Sequence, residues 1–199
     1  MGYGFNTLGR RGLRGRRGGK IHRVHAATGD AVLGRVAKGA QGRWPVPDGS
    51  ARYRGCMRFN AFAAYSAEVV VTAEVIPEMQ NSDYESGIVQ IGEEVWHIRT
   101  ARNIPTEPGA FVAFWQRHAD GNTTPFSDDD PAAGLLVFVA QHDRRGVFRF
   151  TGARLTALGI TSGRRPGKRG FRVYPNWRTG LNVQATTTQR AQAPAFQEF

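Results

Sequence analysis

The sequence predicts one domain of mixed α and β structure, a central and mostly antiparallel sheet flanked by helices, behind a disordered basic N-terminal tail. Three observations carry this reading. The 199 residues are 40% hydrophobic and 11% aromatic, which supplies one ordinary core. Between Gly87 and Tyr174, apolar runs of strand length alternate with turn signals, and helical spacing flanks and interrupts them. Charge and glycine set the first 56 residues apart from residues 57–199.

The first 60 residues hold the whole charge excess. Residues 1–60 carry 13 Lys and Arg against Asp30 and Asp48, which equals the net charge of +11, while residues 61–199 balance. Arg10-Arg11-Gly12 and Arg14 to Lys20 form an Arg/Gly run, and few large aliphatics follow before Gly55. Such a segment cannot recover its ordering entropy. A twin-arginine export signal lacks its apolar region. An RGG-type RNA-binding tail is a second reading. The preferred third places the true start at Met57, where the composition turns globular. His22 and His25 have a His-x-x-His spacing that reads as chance in a cationic segment.

The folded part opens with Phe59, Phe62, Ala63, Ser66, Val69, Val70 and Ala73, the spacing of an amphipathic helix that ends near Pro77, although Val69-Val70-Val71 also suits a strand. A hairpin follows, Gly87 to Ile91 and Glu94 to Ala101 around Gly92-Glu93. Extended, it sets Val95, His97, Arg99 and Ala101 on one face and Trp96, Ile98 and Thr100 on the other. Phe111 to Trp115 is apolar on both faces and predicts a central buried strand, with Gln116-Arg117-His118 leaving it as a loop. Gly121 to Pro131 reads as a surface loop. Leu135–Ala140 and Val147–Phe150 read as strands joined by a turn over Asp143 to Gly146, and Ala153–Leu158 as a short helix closed by Gly159. A basic loop from Gly163 to Gly170, a strand over Phe171–Tyr174 and a polar helix over Leu181–Gln192 complete the chain.

Several function classes are excluded or unsupported. No apolar run approaches the ~20 residues of a membrane span. A lone Cys56 rules out a disulfide framework and cysteine zinc sites. With no export signal, the cytoplasm is expected. No Gly-x-Ser-x-Gly elbow and no phosphate-binding Gly-Lys-Ser/Thr loop is present. His97, His118 and His142 with Asp120 and Asp143 have no diagnostic metal spacing. One acidic group bears on catalysis: Asp83 and Glu85 precede a hairpin whose second strand starts at Glu93-Glu94. Carboxylates gathered on adjacent strands hold a divalent ion, Mg2+ for example, that activates water. The lysine that accompanies them in many nucleases is missing, since no Lys lies between Lys38 and Lys168. An exposed turn is the preferred reading of Glu93-Glu94.

The folded part is polarised. Glu68 to Asp130 holds twelve acids and only Arg99, Arg102 and Arg117, whereas Arg144 to Arg190 holds eleven bases and no acid. Phe148, Phe150, Phe171, Tyr174 and Trp177 are interleaved with those bases. Such a stretch suits a phosphate backbone, with rings that stack or pack. It equally suits a solvated face that balances the acidic half.

Ordered motifs then resemble one family. Glu78-Met-Gln-Asn81-Ser82-Asp83-Tyr84, Arg99-Thr-Ala101-Arg102-Asn-Ile-Pro105, Gly109-Ala-Phe111-Val112 through Trp115-Gln-Arg117, Pro125-Phe126 and Gly167-Lys168-Arg169-Gly170-Phe171-Arg172-Val173-Tyr174-Pro175-x-Trp177 are similar to the MepB family over about residues 60–197. The resemblance implies a restriction-endonuclease-like fold and nucleic acid as partner, duplex DNA above all. On that basis Lys168, Arg169 and Arg172 are expected to contact phosphates. Arg99, Arg102 and Arg117 would orient the backbone, and Tyr174 and Trp177 would stack or pack. Where the family carries Ala-Lys this chain has Ala101-Arg102, and an arginine stays protonated and cannot serve as a tunable base. Binding without catalysis is therefore preferred. The rivals are a metal-dependent nuclease that uses Asp83, Glu85 and Glu94 with Arg102, its metal on Asp83 and Glu85, and a protein-interaction module with a basic docking face.

Overall fold

The first helix is shorter than its spacing predicts. In a computed structural model that describes residues 58–118 and 120–199, α1 spans Asn60–Glu68. The expectations for residues 1–56, and Met57 itself, lie outside the described residues. The valine run stops the helix: Val70 stands at φ 54, a strained setting for a β-branched side chain, and no strand forms over Val69–Val71.

The strands follow in chain order. β1 (Val75–Pro77), β2 (Gly87–Ile91) and β3 (Glu94–Thr100) form a meander. β4 (Arg102–Asn103), β5 (Ala110–Ala113), β6 (Gln116–Arg117) and β7 (Thr123–Thr124) come next, then β8 (Gly134–Gln141) and β9 (Arg144–Thr151). After α2 (Gly152–Ala157) come β10 (Gly170–Val173), α3 (Val183–Gln192) and β11 (Phe196–Glu198). Pro77, which lacks an N–H, sits on an edge strand as the ladder requires.

Six strands make the main sheet in the order β1-β2-β3-β8-β9-β11, antiparallel throughout except for the parallel pair β3 and β8. A smaller sheet has the order β10-β5-β4, so the apolar run of β5 is central, as predicted. Gln116-Arg117 corrects its loop expectation, because β6 pairs with β7. The turn expected over Asp143 to Gly146 is tighter: β9 starts at Arg144, and His142 takes φ 53.

Alternation along the main strands makes two cores. One face packs α1 through Phe62 against Trp96, Ile98, Leu136, Phe138 and Val147. On the other, Leu135, Val137, Phe148 and Phe150 meet Val112, Phe171 and Val173 of the small sheet and Phe114, which follows β5. Arg154 of α2 donates to the Ala191 carbonyl of α3. Among the described residues no helix is long and apolar enough to cross a membrane.

Candidate nucleic-acid interface

β10 is an edge strand, and two glutamines of α3 close that edge. The buried Gln192 accepts from the Tyr174 N–H at 3.0 Å and donates to the Arg172 carbonyl at 2.8 Å, replacing a neighbouring strand. Gln189 donates to the carbonyls of Pro175 and Arg178 at 2.7 and 3.0 Å. This explains why a helix with so little apolar surface docks at all. Asn182 caps it, accepting from the Ala185 N–H at 2.9 Å. Between α3 and β10 lies a groove of about 570 Å³, and Lys168 and Arg172 line it.

Backbone bonds fix the basic segment before β10. The Lys168 N–H donates to Ile160 and the Arg169 carbonyl accepts from Phe114. A Cβ on Gly167 would come within 2.6 Å of the Ser162 nitrogen and 2.7 Å of the Ile160 oxygen, so only glycine lets these strands of chain approach. Arg164, Arg165, Lys168 and Arg169 are exposed and make no ion pair among the described residues. Arg169 donates to Thr123 at 3.2 Å, and Thr123 is the register partner of Arg117, so Arg117 joins the same basic face.

Arg102, Phe111 and Arg172 form a cross-strand row on the small sheet. The Arg172 guanidinium lies 5.9 Å from the Phe111 ring centre, Tyr84 meets Phe111 edge-on at 6.2 Å, and Arg102 lies 5.9 Å from the Tyr84 ring centre. Arg172 also pairs with Glu107, and Arg102 with Asp83 at 3.6 Å. On this face the cations that make no ion pair among the described residues are Arg117, Arg164, Arg165, Lys168 and Arg169. Tyr174 packs over Gly109, whose φ is 77 and where an added Cβ would come within 2.7 Å of the ring, leaving no room for a side chain.

Two residues expected at the interface are elsewhere. Arg99 is fully buried, against Phe114 and Glu78, so it cannot reach a phosphate. Trp177 packs edge-on against Phe196 and donates to Gln141, and the Arg144 guanidinium lies 4.8 Å from its ring centre. Its ring is a packing element.

The acidic trio does not assemble. Glu85 accepts from the Asn60 and Ala61 N–H groups at 3.2 Å each and from the Thr100 hydroxyl at 2.8 Å, and so caps α1 from a distant loop. Asp83 pairs with Arg102 in the open. Glu94 lies at the far end of the hairpin, against Arg149 at 2.9 Å and the Trp96 indole at 3.2 Å. Residue types pointed to a metal; register separates Glu94 from the other two, and among the described residues no three His, Cys, Asp or Glu side chains are placed to hold one.

The sequence did not single out the buried polar cluster beneath this face. Glu78 accepts from Arg99 Nη1 at 2.5 Å and from Ser86 at 2.9 Å. His97 stands between Glu78 at 3.4 Å and Asp130 at 3.2 Å. Burial pushes the Glu78 carboxyl up, but Arg99 and His97 outweigh it and hold it at about 2. Burial pulls the His97 imidazole down, and its bonds to Asp130 and Glu78 more than compensate, so it is raised. Burial lowers Arg99, and its Nε and Nη2 have no acceptor among the described residues. Asp130 bonds His97 of β3, and two residues before it the Asp128 N–H donates to the Ser162 carbonyl, which leads into the basic loop. The Glu78 block and the hairpin positions of His97 and Arg99 were readable, but burial of all three was not.

A family model described as MepB-like matches residues 78–198. The chain is also similar to a solved structure described as the crystal structure of MepB, with 28% identity and a TM-score of 0.63, covering 71% of this chain and 97% of that one. No curated protein matches. The matched span contains Glu78, Asn81 and Tyr84, the Gly109 and Gly167 approaches and the whole basic segment, and the chain belongs to the MepB-like family.

Proposed function

We propose that this protein binds nucleic acid through the phosphate backbone without cutting it. The observation that carries the reading is the stretch Arg164 to Arg169: four exposed cations that make no ion pair among the described residues, of which Lys168 also lines a groove without a carboxylate, while Arg164 and Arg165 share a second hollow with Asp128. A surface that concentrates like charge gains most from an anionic partner that releases counterions on binding. Arg117 extends this face, and Arg102 and Arg172 share their charge with Asp83 and Glu107. The restriction-endonuclease-like fold implied by the family resemblance points to the same partner, which would place the protein in the cytoplasm. The dispersal of Asp83, Glu85 and Glu94 speaks against metal-assisted hydrolysis by those residues.

Affinity for fluorescein-labelled duplex DNA tests this reading. Lys168→Glu with Arg169→Glu in the full chain should weaken binding by roughly tenfold or more. Unchanged affinity would remove the assignment.

A further inference from the structure

The groove between β10 and α3 has a composition that a simple phosphate-tracking face does not need. Phe111, Phe171, Leu158 and Ile160 give it an apolar and partly aromatic side. Lys168 stands at one end. Asn182 and Gln184 line it from α3; the Asn182 oxygen is engaged in the cap, while its amide nitrogen and the Gln184 amide make no other bond among the described residues. Arg172 reaches it as well, and its Nη1 is buried with no acceptor among the described residues. Its volume of about 570 Å³ lies inside the ~300–1,000 Å³ range of sites that enclose a compact organic ligand.

We propose that this groove receives one unpaired nucleotide of a nucleic-acid strand, the base against the apolar side and the phosphate on Lys168. The inference rests on the nucleic-acid reading above and narrows its ligand class. The charge is complementary, because the lining has cations and no carboxylate. The shape is complementary to a flat apolar ring with polar edges, and the amides of Asn182 and Gln184 can hydrogen-bond such an edge. A base inside a duplex is stacked on both faces and paired along its edge, so only an unstacked one enters. The preferred ligand is a single strand, in place of the duplex expected from the sequence.

The test compares an oligo-dT strand with a duplex of equal length on the full chain by fluorescence anisotropy. Thr187→Trp, or Thr188→Trp as a second variant, fills the groove from α3. The expected result is a preference for the single strand that either filling variant lowers by about tenfold, the effect of one lost base contact. Equal affinity for both ligands, or a preference that survives both fillings, would overturn the pocket while leaving phosphate binding in place. No affinity for either nucleic acid would overturn both readings.

Discussion

Arg99 Nη1 donates to Glu78 Oε2 at 2.5 Å inside the protein, with Arg99 fully buried and Glu78 almost so. The pair joins the loop after β1 to the C-terminal end of β3. Among the described residues only Nη1 of the guanidinium finds acceptors, the other being the Ile98 carbonyl at 2.7 Å. Burying two charges recovers little net stability, yet removing one partner strands the other.

Glu78→Gln should therefore cost about 3–5 kcal/mol, because it leaves a buried guanidinium without a counter-charge. Urea denaturation followed by far-UV circular dichroism measures this. A loss within the range of an exposed surface substitution would mean the pair is of no structural consequence.

Stability should fall on both sides of a mid-range of pH. Glu78 has a folded pKa of about 2 against an ordinary 4.5, so its contribution is present above pH 4.5 and disappears as pH falls toward 2. His97 is raised above 6.5, so its contribution is complete below pH 6.5 and disappears as pH rises through the elevated value. Thermal melts across pH should show the alkaline limb shrink in His97→Gln. An unaltered limb would assign it to another group.

Glu85→Gln should remove a charge that caps α1, a loss of about 1 kcal/mol. Nucleic-acid affinity should not change. A large fall in affinity with unchanged stability would instead place Glu85 at the ligand.

Gln192→Leu should leave the Tyr174 N–H and the Arg172 carbonyl buried without partners. The expected cost is about 1–3 kcal/mol for each group, with faster hydrogen exchange along β10. Exchange that stays slow would show that α3 does not hold this edge.

Much of the fold was legible, for identifiable reasons. The β2–β3 hairpin followed from alternation, and that alternation separates His97 and Arg99 from Trp96 and Ile98 into different cores. The parallel pairing of β3 with β8 was not legible, because it joins segments whose sequences carry no mark of each other. β11 escaped notice since it is short and earns its place by Phe196 packing on Phe148 at 4.7 Å. Of the basic face, Lys168 and Arg169 were readable from charge, and the structure leaves both exposed. The burial of Arg99, to which the family resemblance gave a place at the backbone, was not legible because its partner Glu78 lies 21 residues away in sequence. Glu85 was read as a ligand because a carboxylate that caps a helix from a remote loop has no local signature.

The most direct measurement is the salt dependence of oligo-dT binding by the full chain and by its Lys168→Glu, Arg169→Glu variant. Both proteins share the N-terminal cationic segment, so their difference reports on the folded face. Loss of two phosphate contacts on a single strand should make the slope of log affinity against log salt shallower by about 1.4. Parallel slopes with equal affinities would contradict binding at this face and assign the anion affinity to residues outside it.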